Sequence, residues 1–133
     1  MALEITEVGV EFDTAEGLIA SKIASLPTLT REYLKKAACV GTTFDDRLIA
    51  HLIRDPSIPH FSLAAKKRLL HFDTASSSWK FAHDLIHGVA YNLIPETQRD
   101  TAHYNVGREL WRKLDLEELD RYIFVVVEQR AAN

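Results

Sequence analysis

Apolar residues recur three and four positions apart along most of this chain, the spacing of helices that bury one face. Met1 to Phe12 alternates in part (Ile5, Val8, Val10, Phe12) and predicts a strand or an ordered lead-in. Asp13 with Glu16 three residues later predicts a helix start, because a carboxylate there can accept from free backbone N–H groups. Leu18, Ile19, Ile23 and Leu26 then share a helical face. Pro27 ends that helix and opens the next, whose face is Leu29, Tyr33, Ala37 and Val40 and whose stop is Gly41. Thr43 with Asp46 predicts a third helix carrying Leu48, Ile49, Leu52 and Ile53, broken by Asp55-Pro56 and Pro59.

A fourth helix is predicted over Phe61 to Leu69, with Lys66, Lys67 and Arg68 on its outer side. Two short alternating runs follow, Leu70-His71-Phe72 and Trp79-Lys80-Phe81, separated by the polar stretch Asp73 to Ser78; they predict a hairpin with a long tip. Helical spacing returns with Leu85, Ile86, Val89, Ala90, Leu93 and Ile94. Pro95 is placed at the first position of the next helix, which carries Ala102, Val106, Leu110 and Leu114. Asp115 with Glu118 predicts one more cap, before Leu119, Tyr122, Ile123, Val126 and Val127, although the β-branched run Val125 to Val127 weakens that last helix. The layout is mainly α: a winged-helix domain with one β-hairpin, followed by a helical hairpin. Residues 1–26 form a lead-in segment and linker helix, 27–94 the winged helix, and 95–133 a helical extension like the start of a helical-repeat region. No internal repeat is present within the chain.

Composition narrows the class. With 47% apolar and 26% charged residues, the composition is that of an ordinary globular protein and argues against disorder of the whole. A net charge of −3 gives no bulk attraction to nucleic acid or to an anionic membrane. The single cysteine, Cys39, sits on an apolar helical pattern and reads as a packing thiol with no internal disulfide partner. The acidic start lacks a signal-peptide layout and no apolar run is long enough to span a bilayer, so a cytoplasmic, reducing setting is expected.

The chemistry concentrates at Trp79-Lys80-Phe81-Ala82-His83-Asp84-Leu85-Ile86-His87, where a strand turns directly into a helix. A helix start offers free N–H groups and a partial positive charge, so His83 there could meet a phosphate. Its alternative is structural: a helix-cap or hairpin-exit histidine. His83-Asp84-x-x-His87 also imitates the paired histidines of zinc proteases, but aspartate is one methylene shorter than the glutamate that chemistry uses, and only the remote His103 could be a third ligand. Lys66, Lys67 and Arg68 lie where DNA-binding winged helices read the major groove; a solvated face is the plainer explanation, and a wing tip of Asp73 and serines argues against phosphate contact. Trp79 and Phe81 read as packing of the wing, Trp111 and Tyr122 as contacts of the last two helices, and Ser76 to Ser78 as a turn tip or a phosphorylation target. No serine or cysteine carries a nucleophile motif, and the five glycines form no dinucleotide loop.

Three segments resemble a known family. They are Ile23-Ala24-Ser25-Leu26-Pro27-x-x-Thr30-Arg31-Glu32-x-Leu34-Lys35-x-Ala37-Ala38-Cys39-Val40-Gly41-x-x-Phe44-Asp45, then Trp79 to Pro95, then the weaker His103-x-x-Val106-Gly107-Arg108-x-Leu110. The chain resembles the winged-helix and following helical region of STAND-class signalling ATPases, especially the module in multidomain sensor histidine kinases and serine/threonine kinases. Its second segment is similar to the Met-His-Asp motif of immune-receptor ATPases, with Ala82 in the methionine position. The resemblance implies a regulatory arm that folds back on a nucleotide-binding domain, with His83 contacting the β-phosphate of ADP and Asp84 orienting that histidine or capping its helix. It implies ADP or ATP with Mg for the parent protein and no cofactor for this chain alone. The implied partners are a P-loop nucleotide-binding domain, in cis or in trans, and downstream helical or kinase domains, with no membrane. The chain has no Gly-x-x-x-x-Gly-Lys-Ser/Thr loop and is not expected to be an ATPase by itself. It reads as a piece of a longer protein, a gene fragment or a stand-alone descendant. The alternative is a stand-alone winged-helix module that binds DNA or a protein.

Overall fold

The structure, a computed structural model, describes residues 14–54 and 58–131. It is mainly helical with one small antiparallel sheet. The expected strand or lead-in over Met1 to Phe12, the Asp13 cap and the Asp55-Pro56 break lie outside the described residues.

Helix α1 (Ala15–Ala24) is capped by Thr14, whose Oγ1 accepts from the Gly17 N–H at 2.9 Å. Ile23 and Leu26 are buried, but Leu18 is half exposed, so the inward stripe is narrower than the sequence suggested. Helix α2 (Thr28–Val40) follows Pro27 directly. It packs against α1's successors on several sides, and its buried set is correspondingly wide: Thr30, Tyr33, Leu34, Ala37, Ala38 and Cys39. A single stripe of Leu29, Tyr33, Ala37 and Val40 was expected. Leu29 is in fact exposed, because neighbours on several sides of one helix rotate and broaden its buried face. Gly41 ends α2 at φ 155°, a backbone region that side chains disfavour.

The next element differs from expectation. Thr43–Asp45 is a strand, β1, and not the start of a helix. The cap of α3 (Asp46–Ala50) is Asp45, whose Oδ1 accepts from the Arg47 and Leu48 N–H groups at 2.8 and 3.3 Å. A three-residue strand has no readable period; its conformation is set by pairing with a partner 35 residues away. Helix α3 is short, yet Leu48, Ile49 and Leu52 are all buried as expected.

Helix α4 (His60–Lys66) also stops early. Arg68 adopts φ 64°, its N–H bonds the Ala65 carbonyl at 2.9 Å, and the Leu69 N–H bonds the Ala64 carbonyl at 3.1 Å. That is the Schellman pattern of a helix end, with arginine at the left-handed position where glycine is usual. The basic triplet is therefore not one helical face. Lys66 closes α4, Lys67 is its C-cap, and Arg68 has already left it.

Strands β2 (Leu70–Asp73) and β3 (Ser78–Phe81) form the expected hairpin, in register Leu70 to Phe81 through Asp73 to Ser78. β1 adds to the other edge of β3, pairing Phe44 with Trp79, so the sheet order is β1-β3-β2. Phe44, Phe61 and Phe81 pack as tilted or edge-on rings 5.4–5.9 Å apart, and Trp79 lies 5.9 Å from Phe61. These rings join sheet to helices, and the Trp79 indole N–H donates to Asp46 at 2.9 Å.

Helix α5 (Asp84–Asn92) packs on α1 and α2. Pro95 precedes a 3-10 turn (Glu96–Gln98), and not the helix itself; α6 (Arg99–Lys113) follows the turn. A two-residue connection leads to α7 (Leu116–Ala131). The Asp115–Glu118 cap is reciprocal, as its spacing predicts: the Glu118 N–H donates to Asp115 at 2.8 Å and the Asp115 N–H to Glu118 at 3.1 Å. His103 near the start of α6 meets Gln129 near the end of α7, so the pair runs antiparallel. The valine run stays helical, with a local departure at Tyr122 (φ −111°, ψ 18°). The connection is pinned to the turn after α3: Lys113 donates to the His51 carbonyl at 2.8 Å, and the His51 ring lies 3.1 Å from Glu118. One cluster of buried apolar residues runs from Ile23 to Val126, crossing positions 26–27 and 94–95 without interruption.

Candidate functional site

His83 stands at the handover from β3 to α5. The Ala82 N–H donates to the Leu69 carbonyl at 3.0 Å, tying the end of the hairpin to its start, and His83 follows in extended conformation (φ −157°, ψ 149°). Its Nδ1 accepts from the Leu85 N–H at 3.0 Å, so the imidazole is the N-cap of α5. The bond fixes the tautomer. Nδ1 uses its lone pair on Leu85, and in the neutral ring the proton sits on Nε2. The ring is solvent-exposed, and no described residue bonds Nε2.

This geometry changes how a phosphate would be met. The Leu85 amide is already satisfied by the imidazole, and the Ile86 and His87 amides return to the His83 carbonyl at 3.0 and 3.2 Å. The first turn thus offers few free amides, the Asp84 N–H among them, and the exposed Nε2–H is the side-chain donor that remains. Asp84 is exposed in the first turn, where its charge suits the helix dipole. Among the described residues no hydrogen bond joins it to the His83 ring, and the cap it was expected to supply comes from His83 itself.

His87 does a different job. Its Nε2 lies 2.9 Å from the Ala38 carbonyl and its ring meets Phe81 edge-on at 5.2 Å, so it donates inward while His83 faces out. His103 is engaged at both nitrogens, by the Tyr91 hydroxyl at 2.9 Å and Gln129 at 2.6 Å. Among the described residues no group of three histidine, cysteine, aspartate or glutamate side chains is placed to hold a metal ion.

Lys66 is exposed at the end of α4, Lys67 is half-buried with its carbonyl taken by the Lys22 ammonium at 3.3 Å, and Arg68 is turned away by its left-handed backbone. At the hairpin tip, Asp73 accepts from Ser76 Oγ at 2.9 Å and from the Ala75 N–H at 3.0 Å, bonds that hold its carboxyl below the usual range. An ionised carboxylate therefore sits where a DNA-reading wing would place a cation. Gln129 escaped the sequence reading altogether. A lone glutamine on a helix carries no signal, and only the packing of three helices reveals that it joins them. A comparison with protein-family models, curated proteins and solved structures finds no match to this chain.

Proposed function

We propose that this chain is the regulatory arm of a STAND-type signalling ATPase, a winged helix and helical extension that couple the ADP or ATP state of a separate nucleotide-binding domain to helical sensor and kinase output. The observation that carries the reading is His83: an exposed imidazole at the strand-to-helix junction, its tautomer set by Leu85, with Nε2 facing outward. The order of elements supports it. Helix, strand, helix, helix and hairpin follow one another, and the first strand pairs with the last, an order compatible with the proposed winged helix. ADP on the partner domain favours the closed arrangement to the extent that it binds the two arrangements unequally.

The test separates the cap from the contact. Asparagine is a good N-cap, so His83→Asn keeps α5 while replacing the imidazole Nε2–H by an amide on a shorter side chain; alanine removes cap and donor alike. In the protein that carries this arm and the nucleotide-binding domain, both variants release ADP about tenfold faster, the loss of one charge-assisted hydrogen bond. Unchanged ADP release and unchanged basal output in His83→Asn overturn the reading. A stand-alone DNA reader is separated from it by gel-shift titration at varied salt, where affinity with steep salt dependence would speak for DNA.

A further inference from the structure

A cleft of about 640 Å³ lies between α2 and α6, beyond the C-terminal end of α5. Its floor includes Ile94, Ala102 and Val106. Its rim carries Lys35 and Lys36 from α2, Arg54 from the segment after α3, and Arg108, Arg112 and Lys113 from α6. Against these six cations stand two carboxylates, Glu32 and Glu109. A local positive excess in a chain of net charge −3 is a concentration against the average.

The carboxylates are already used. Glu32 pairs with Lys35 at 3.0 Å. Glu109 is shared by Lys113 at 2.9 Å and Lys36 at 3.5 Å; burial pushes its carboxyl up, and the two ammoniums outweigh that and keep it below the usual range. Arg54, Arg108 and Arg112 have no ion pair among the described residues, and all three are exposed. Arg108 and Arg112 are one turn apart on the same face of α6. Guanidinium forks match phosphate oxygens two at a time. The volume lies within the ~300–1,000 Å³ range of small-molecule pockets, which favours a compact ligand over an extended acidic chain.

We propose that this cleft binds an organic phosphate, with its phosphate groups on Arg54, Arg108 and Arg112 and its apolar portion on Ile94 and Val106. The site is at the opposite end of α5 from His83, so it is independent of the arm's contact with a nucleotide held elsewhere.

Titration calorimetry of the whole chain with inorganic pyrophosphate and with ADP tests it. Both bind, ADP more tightly because the floor takes its base, and both weaken as salt rises. The Arg108→Ala/Arg112→Ala double variant, checked for native circular dichroism, loses at least about tenfold in affinity for each. Lys80→Ala, exposed on the hairpin and outside the cleft, binds as the parent does; the titration holds no nucleotide-binding domain, so its outcome is separate from the phosphate role proposed for His83. No binding of either anion at millimolar concentration and low salt overturns the proposal. So does an unchanged affinity in the double variant, or tighter binding of an oligoglutamate peptide than of both phosphates.

Discussion

Gln129 and Cys39 are joined across ninety positions of chain: the amide Nε2 of Gln129 donates to the Cys39 carbonyl at 2.9 Å. A carbonyl can only accept, so the bond orients the amide and turns Oε1 toward His103 Nδ1, 2.6 Å away. His103 therefore carries its proton on Nδ1 and accepts at Nε2 from the Tyr91 hydroxyl. One line of hydrogen bonds thus stitches α2, α7, α6 and α5 together.

Gln129 is only 3% exposed, so cutting that line is costly. Gln129→Leu strands the Cys39 carbonyl and the His103 N–H, and is expected to lower stability by about 2–4 kcal/mol. Urea unfolding of variant and parent measures it; a loss below half a kcal/mol, on the order of a surface change, would show that the line carries little.

Burial pushes the Cys39 thiol up to about 11. At pH 8 it is protonated and shielded, so a thiol reagent leaves the native protein unmodified and reacts once urea unfolds it. The raised value also sets a direction. Stability from the protonated thiol is present in full below the ordinary value of 9.0 and is lost as pH climbs through about 11. The buried Tyr122 hydroxyl is shifted the same way, chiefly by desolvation, so both contribute to alkaline unfolding.

Acid acts through Glu109. Its carboxyl is held below the ordinary 4.5 despite burial, so its contribution is present above that value and fades as pH falls through the lowered one. Glu109→Gln has no such carboxylate to lose. The difference in thermal midpoint between pH 7 and pH 3 is expected to narrow in the variant; an unchanged gap would show that Glu109 does not govern acid stability.

Arg68 occupies the left-handed position that closes α4. Glycine there relieves ~1–2 kcal/mol of steric cost and gives part of it back as unfolded-chain entropy. Arg68→Gly should therefore gain roughly 0.5–1 kcal/mol in urea unfolding. A loss would mean that the arginine side chain contributes more than its backbone costs.

Much of this fold was legible in local pattern. The hairpin stood out because Leu70-His71-Phe72 and Trp79-Lys80-Phe81 alternate around a run of serines. The Asp115–Glu118 cap stood out because its two partners lie three residues apart. What escaped depends on distant chain. β1 is a strand only because β3 lies alongside it, and α2 buries a wide face only because other elements surround it. The position of His83 was readable; its use of Nδ1 on Leu85 was not, since a ring's orientation is decided by backbone geometry at the junction. The cationic cleft draws on α2, α6 and the segment after α3, and no window of sequence contains it.

The unbroken interior from Ile23 to Val126 has a mechanical corollary. Buried side chains lie on both sides of 94–95, so the hairpin and the terminal helices share one packed interior. Whatever meets the exposed imidazole and whatever meets Leu116 and Phe124, exposed at 86% and 85%, would therefore be gripping one solid body.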